Sequence, residues 1–165
     1  RRLSLTTQRG RSASRRFLMI VLDTNVLSEV TKPSPHSSVL RWLSALNDET
    51  SITAVTAAEL RAGLSAMPHG HRKTKLSEVV IAQLSEFEQL GSVLPFDHFA
   101  AVEYATVLVL RKAEGKPISP QDAMIAAICR SHGAPLATRY VGDFEHTGVE
   151  VINPWAQAGT PDTTK

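Results

Sequence analysis

One cysteine, Cys129, is all the thiol this 165-residue sequence holds. A single cysteine makes no internal disulfide, and a cysteine-ligated zinc site needs more sulfur than this. A reducing, cytoplasmic setting fits that usage. No apolar run approaches the roughly 20 residues of a membrane-spanning helix, so no membrane partner is expected. Aromatic residues are only 5% of the chain, and they do not interleave with basic residues as in an RNA-stacking platform. The six histidines are scattered. His69 and His71, in PHGH, stand at a helix start with no further ligand close in sequence, and they read as solvated loop residues. Cys129 falls on the apolar face of its helix and reads as a packed thiol. A G-x-S-x-G nucleophile elbow is missing.

Acids are missing from one end. Residues 1–18, RRLSLTTQRGRSASRRFL, carry six arginines and no carboxylate, which leaves 12 basic against 16 acidic residues in the remainder. The formal charge of +2 therefore hides a mildly acidic body behind a basic segment. That segment is Ser/Arg-rich without apolar periodicity and is expected to be disordered. It reads as an extension ahead of a start at Met19, in preference to a nucleic-acid-binding arm or a transit peptide. One folded domain is expected over residues 19–156, with a flexible tail over 157–165.

What the chain does have is alternation of strand and helix. Residues 17–22 form a continuous apolar run, as in a strand buried on both faces. Helices are predicted over 24–30, 39–46, 57–67, 71–90, 97–113 and from Ser119-Pro120 to Gly133. Shorter strands are predicted over 51–53, 93–96, 135–138 and 149–152. This order predicts an α/β fold, a three-layer α/β/α sandwich around a central parallel sheet.

Ligands of such sheets bind outside the carboxyl ends of the strands, and four acids fall near those ends. Asp23 follows the first strand, Glu59 lies about a helical turn past the second, Asp122 opens the helix at Ser119, and Asp143 follows the strand ending near Thr138 across the loop 139–142. Each has a structural explanation by itself. Asp23 can cap the helix at Thr24, Thr56-x-x-Glu59 and Ser119-Pro-Gln-Asp122 resemble capping boxes, and Asp143 can cap a turn. Together they form a different object. Three or four carboxylates gathered at one sheet edge repel one another, and a fold tolerates them when a divalent cation fills the gap. Acids without histidine or cysteine among them suit Mg2+ or Mn2+ in preference to Zn2+.

The segments DTNVLSE (23–29), TAAELRAG (56–63), PISPQDAMIAAI (117–128) and ATRYVGDFEHTGVEVINPW (137–155) resemble, in order, the PIN-domain ribonucleases, and within them the VapC- and FitB-type toxins of bacterial type II toxin–antitoxin pairs. The resemblance spans 19–155 and implies Mg2+- or Mn2+-dependent hydrolysis of RNA by an activated water. It implies Asp23 and Asp122 as principal metal ligands, with Glu59 and Asp143 completing the catalytic acidic site and Asn25 and Thr138 in supporting polar positions. It also implies a homodimer, and a separately encoded antitoxin of the VapB or FitA kind that silences the toxin. Its tail packs in a groove and can send a basic side chain into the acidic pocket. Arg139 lies beside the proposed site and is the better candidate for a substrate contact than Arg111, Lys112 and Lys116, which also suit a solvated helix end. Where the family has Asn after Thr-Arg, this chain has Tyr140. That departure sustains a second expectation, a non-catalytic PIN-like module that binds RNA or an antitoxin. A phosphatase of the haloacid dehalogenase type also places Asp after its first strand. It needs a second Asp two positions on, where Asn25 stands.

Overall fold

The computed structural model describes residues 19–156, so the readings of 1–18 and 157–165 lie outside the described residues. Five strands, all parallel, form the central sheet: β1 (Met19–Leu22), β2 (Glu49–Thr53), β3 (Val93–Leu94), β4 (Leu136–Ala137) and β5 (Val151–Ile152). Seven helices connect them among the described residues: α1 (Thr24–Val30), α2 (Ser37–Ser44), α3 (Ala54–Ala66), α4 (His71–Gln89), α5 (His98–Ala113), α6 (Pro120–His132) and α7 (Val141–Phe144).

β1 shows why this stack forms. Successive strand residues point to opposite faces, and here both faces are covered. Val21 packs with Ala100, Val107, Ala123 and Ile128 of α5 and α6. Ile20 and Leu22 pack on the other side with Val26, Val39, Leu60 and Val80 of α1 to α4. An apolar run without alternation is what a strand between two helical layers requires.

The strand order is β3-β2-β1-β4-β5. The chain steps outward from β1 to β3, then returns through α5 and α6 to place β4 on the other flank of β1. The register joins Val21 to Leu136 and Leu22 to Ala137, so β1 and β4 end side by side. That reversal opens a crevice at their carboxyl ends.

Some boundaries differ from the sequence reading. α3 begins at Ala54, three residues earlier than predicted, because Thr53 caps it: Thr53 Oγ1 accepts from Thr56 N–H at 3.0 Å. The Thr56–Glu59 capping box therefore does not form, and Thr56 is buried with its hydroxyl 3.0 Å from that of Thr53. β3 stops at Leu94, and Phe96 turns its ring edge-on to Tyr104. α7 lies where part of a loop was predicted.

Two arginines hold the segment around α7. Arg111 of α5, 5% exposed, donates to Glu145 O (2.7 Å), Gly142 O (3.3 Å) and Pro117 O (3.0 Å). Arg130 of α6 donates to Glu103 Oε2 (2.6 Å) and Thr147 O (3.0 Å). Gly148 follows with φ +77°, and a Cβ there would sit 1.9 Å from Arg130 Nη1. Only glycine satisfies both the backbone and the guanidinium at that point.

Candidate functional site

Asp23 is both the cap of α1 and the residue at the switch point. Its Oδ1 accepts from the N–H of Thr24, the first residue of α1, at 2.8 Å. Its Oδ2 accepts from Asn25 Nδ2 (2.6 Å) and from Thr138 Oγ1 (2.7 Å), the residue just past β4. Asn25 in turn donates to Thr138 Oγ1 (3.0 Å) and accepts from Arg139 N–H (3.0 Å). The ends of β1 and β4 are thus fastened through one small polar network. Capping and functional readings of Asp23 are compatible, because the cap uses one oxygen.

Glu59, in the second turn of α3, faces the same place. Thr24 Oγ1 donates to its Oε2 at 2.5 Å. Asp122 enters from the first turn of α6, where Ser119 Oγ accepts from its N–H (3.0 Å) and donates to its Oδ2 (2.8 Å). Asp23, Glu59 and Asp122 line one cavity of about 660 Å3, together with Thr24, Asn25, Ser28, Glu29, Lys32, Arg139, Tyr140 and Trp155. No cysteine or histidine lines it.

Asp143 is not among these residues. It is exposed on α7, with its N–H donating to Tyr140 O at 3.1 Å. The short helix that carries it is held by Arg111 through the carbonyls of Gly142 and Glu145. Of the four acids expected in one hollow, three line this cavity and Asp143 lies on α7 outside its lining. Nor do they form a closed cage: among the described residues no three His, Cys, Asp or Glu side chains are grouped tightly enough to hold a metal by themselves.

The electrostatics separate the cavity acids. Burial pushes the Asp23 carboxyl above its ordinary range; the bonds from Thr138, Thr24 and Asn25 oppose this, and Asp122 adds to it. Burial likewise raises Glu59, the Thr24 bond opposes it, and the charges of Asp23 and Asp122 add to it. Glu29 goes the other way. Lys32 Nζ at 2.5 Å and the His36 N–H at 2.9 Å hold it below the usual carboxylate range. Behind Asp23, Cys129 is fully buried and its thiol pKa is pushed well up by desolvation, which suits a packed side chain.

The sequence reading missed several contributors. Ser28 and Glu29 of α1 and Lys32 just past its C-cap continue the helical spacing that begins at Asn25 and line the cavity with it. That periodicity was the available signal. Thr24 had no signal beyond adjacency to Asp23. Trp155 lines the cavity from beyond β5, with the Arg139 guanidinium 5.5 Å from its ring centroid.

The sequence pattern of the PIN domain matches residues 20–148, most of the chain. The chain belongs to the PIN-domain family. It is similar to VapC ribonuclease Y4jK of Sinorhizobium fredii, 45% identical over 145 residues that cover 85% of this chain and all of that protein. It is also similar to toxin FitB of Neisseria gonorrhoeae, 38% identical over 138 residues, 83% of this chain and 99% of FitB. Among solved structures, a chain of the FitAB complex bound to an IR36 DNA fragment superposes with a TM-score of 0.78 at 37% identity, covering 86% of this chain and 99% of that one.

Proposed function

We propose that this chain is a Mg2+- or Mn2+-dependent endoribonuclease, the toxin of a type II toxin–antitoxin pair, hydrolysing RNA phosphodiester bonds with an activated water. The observation that carries this reading is the convergence of Asp23, Glu59 and Asp122, from three separate elements, on one cavity at the topological switch point. The relatives support it: one is called a ribonuclease and another a toxin.

The donors suit the ion. They are oxygens only, and Mg2+ keeps several waters while using one or two carboxylates, so an open trio fits it better than it would fit Zn2+. Asp23 and Asp122 are the proposed principal ligands with Glu59 beside them, and Asp143 on α7 is the proposed fourth acid of the site. A bound Mg2+ or Mn2+ supplies water activation and stabilisation of charge on the phosphoryl oxygens. The chain's own part is positioning. Asn25 and Thr138 fix Asp23, Thr24 fixes Glu59, Ser119 fixes Asp122, and Arg139 offers donors to a substrate phosphate.

The partners proposed are RNA, a separately encoded antitoxin of the FitA or VapB kind, and a second copy of the chain, in the cytoplasm. For the antitoxin, the support is the likeness to a chain from a FitAB complex, and an acidic cavity is complementary to a basic side chain. For the homodimer, the support is α5, which exposes Phe99, Val102 and Val109 along one side.

The test is cleavage of RNA by purified protein with and without EDTA. Loss of cleavage in EDTA and its return with excess Mg2+ or Mn2+ is the expected result, and metal-independent cleavage removes the mechanism. One feature favours a non-catalytic binding module: Tyr140 stands at the N-cap of α7 without a side-chain capping bond. A stable antitoxin complex from a protein that cleaves no RNA with either metal would select that reading.

A further inference from the structure

The cavity is acidic in its depth and of different character at its open side. Asp23 is 6% exposed, whereas Arg139 and Tyr140 of the same lining are exposed, Tyr140 by 58%. Among the described residues the Tyr140 phenol has no hydrogen-bond partner and its ring no aromatic neighbour. Its main chain is nevertheless fixed. Tyr140 N–H donates to Thr138 Oγ1 at 3.2 Å, the same hydroxyl that donates to Asp23, and Tyr140 O accepts from Asp143 N–H. A short polar side chain at this position would cap α7. The ring does not cap it, and it buries little surface in the fold. Trp155 adds a second ring to the lining, with the Arg139 guanidinium beside it.

The geometry points to a nucleobase-stacking subsite: the exposed Tyr140 ring, in the same cavity lining as the Arg139–Trp155 pair, takes the face of a base in single-stranded RNA next to the phosphate presented to the carboxylates. This rests on the ribonuclease reading above and names how its substrate is held. Single-stranded RNA offers free base faces, which proteins hold on aromatic rings and guanidinium planes, whereas a duplex hides them. The arrangement also explains how an acidic cavity can accept a polyanion: Arg139 contacts phosphate at the rim, and stacking supplies affinity that needs no positive charge.

Fluorescence anisotropy of a labelled short oligoadenylate on the full chain, with Ca2+ in place of Mg2+, tests this. Tyr140→Phe should bind within about twofold of wild type, and Tyr140→Ala should bind about 5- to 100-fold more weakly. The penalty should vanish on an abasic oligomer of equal charge. Equal affinity of wild type and Tyr140→Ala overturns the subsite, as does a penalty that persists on the abasic oligomer. An alanine variant that loses antitoxin binding while RNA affinity is unchanged assigns the ring to a protein partner and also overturns it. Wild-type protein that shows no metal-dependent cleavage ends the nuclease reading alone, since the binding comparison still decides the subsite.

Discussion

Arg111 and Asp23 are buried to the same extent, at 5% and 6% exposure, yet the fold treats their charges differently. The Arg111 guanidinium meets three backbone carbonyls, and nearby Arg130 meets a carbonyl and the Glu103 carboxylate. Asp23 also accepts three hydrogen bonds, but the charge that bears on it is Asp122, of its own sign. Glu29 sharpens the contrast from inside the same cavity, since Lys32 complements it and its pKa moves down instead of up. Charge that holds the chain together meets groups of complementary polarity, although the Nε of Arg111 is left without a partner among the described residues. Charge left unmatched in a cavity marks a place where something from outside completes the balance.

The largest effect expected on this contrast is in the cavity. Asp122→Asn should lower RNA cleavage by on the order of 10^3-fold while leaving the circular dichroism spectrum and melting temperature close to wild type. A variant that cleaves normally would remove the unmatched acids from the mechanism. The next effect is at the seam around α7. Arg111→Met strands carbonyls of Gly142, Glu145 and Pro117, each costing about 1–3 kcal/mol if left unsatisfied. A domain of this size loses roughly 2–4 °C per kcal/mol, so thermal denaturation should show a fall of about 10 °C. No change in melting temperature would mean the seam contributes nothing.

The smallest effect separates a matched from an unmatched carboxylate of the cavity by sign. Glu59 has a raised folded pKa, so the native state holds its proton to higher pH than the unfolded chain does, and stability falls as pH rises from the ordinary carboxylate pKa through the folded one. Glu59→Gln removes that cost and keeps an oxygen for Thr24. In EDTA it should melt slightly above wild type at neutral pH, with the gap closing below the ordinary carboxylate pKa. Glu29 has the opposite dependence: its contribution is present above the ordinary pKa and is lost as pH falls through its lowered one. A Glu59→Gln variant that melts below wild type at neutral pH would put the Thr24 bond ahead of charge relief.

How much of this was legible in the sequence depended on the length of each signal. β1 was readable because an apolar run ending at a carboxylate needs no periodicity to be noticed, and strand–helix alternation set the layers. The meeting of Asp23, Glu59 and Asp122 followed from treating all three as strand exits or helix starts in a parallel sheet. α3 was started too late because Thr53 and Thr56 are both competent caps, and burial of Thr56 decided between them. The helix that carries Asp143 was missed for a related reason. Four residues of helix carry no readable period, so α7 was taken for loop, and the Arg111 contacts that orient it come from 31 and 34 residues away. Tyr140 was noticed as a departure, but its exposure and its place on the cavity came only from three-dimensional neighbours.

The outermost strands, β3 and β5, are two residues long each. An intruding chain that tried to lengthen the sheet would find only a couple of backbone groups to pair with before the ladder ran out. Among the described residues, therefore, the sheet edges offer little to strand addition, and the helix faces are the larger surface for self-association.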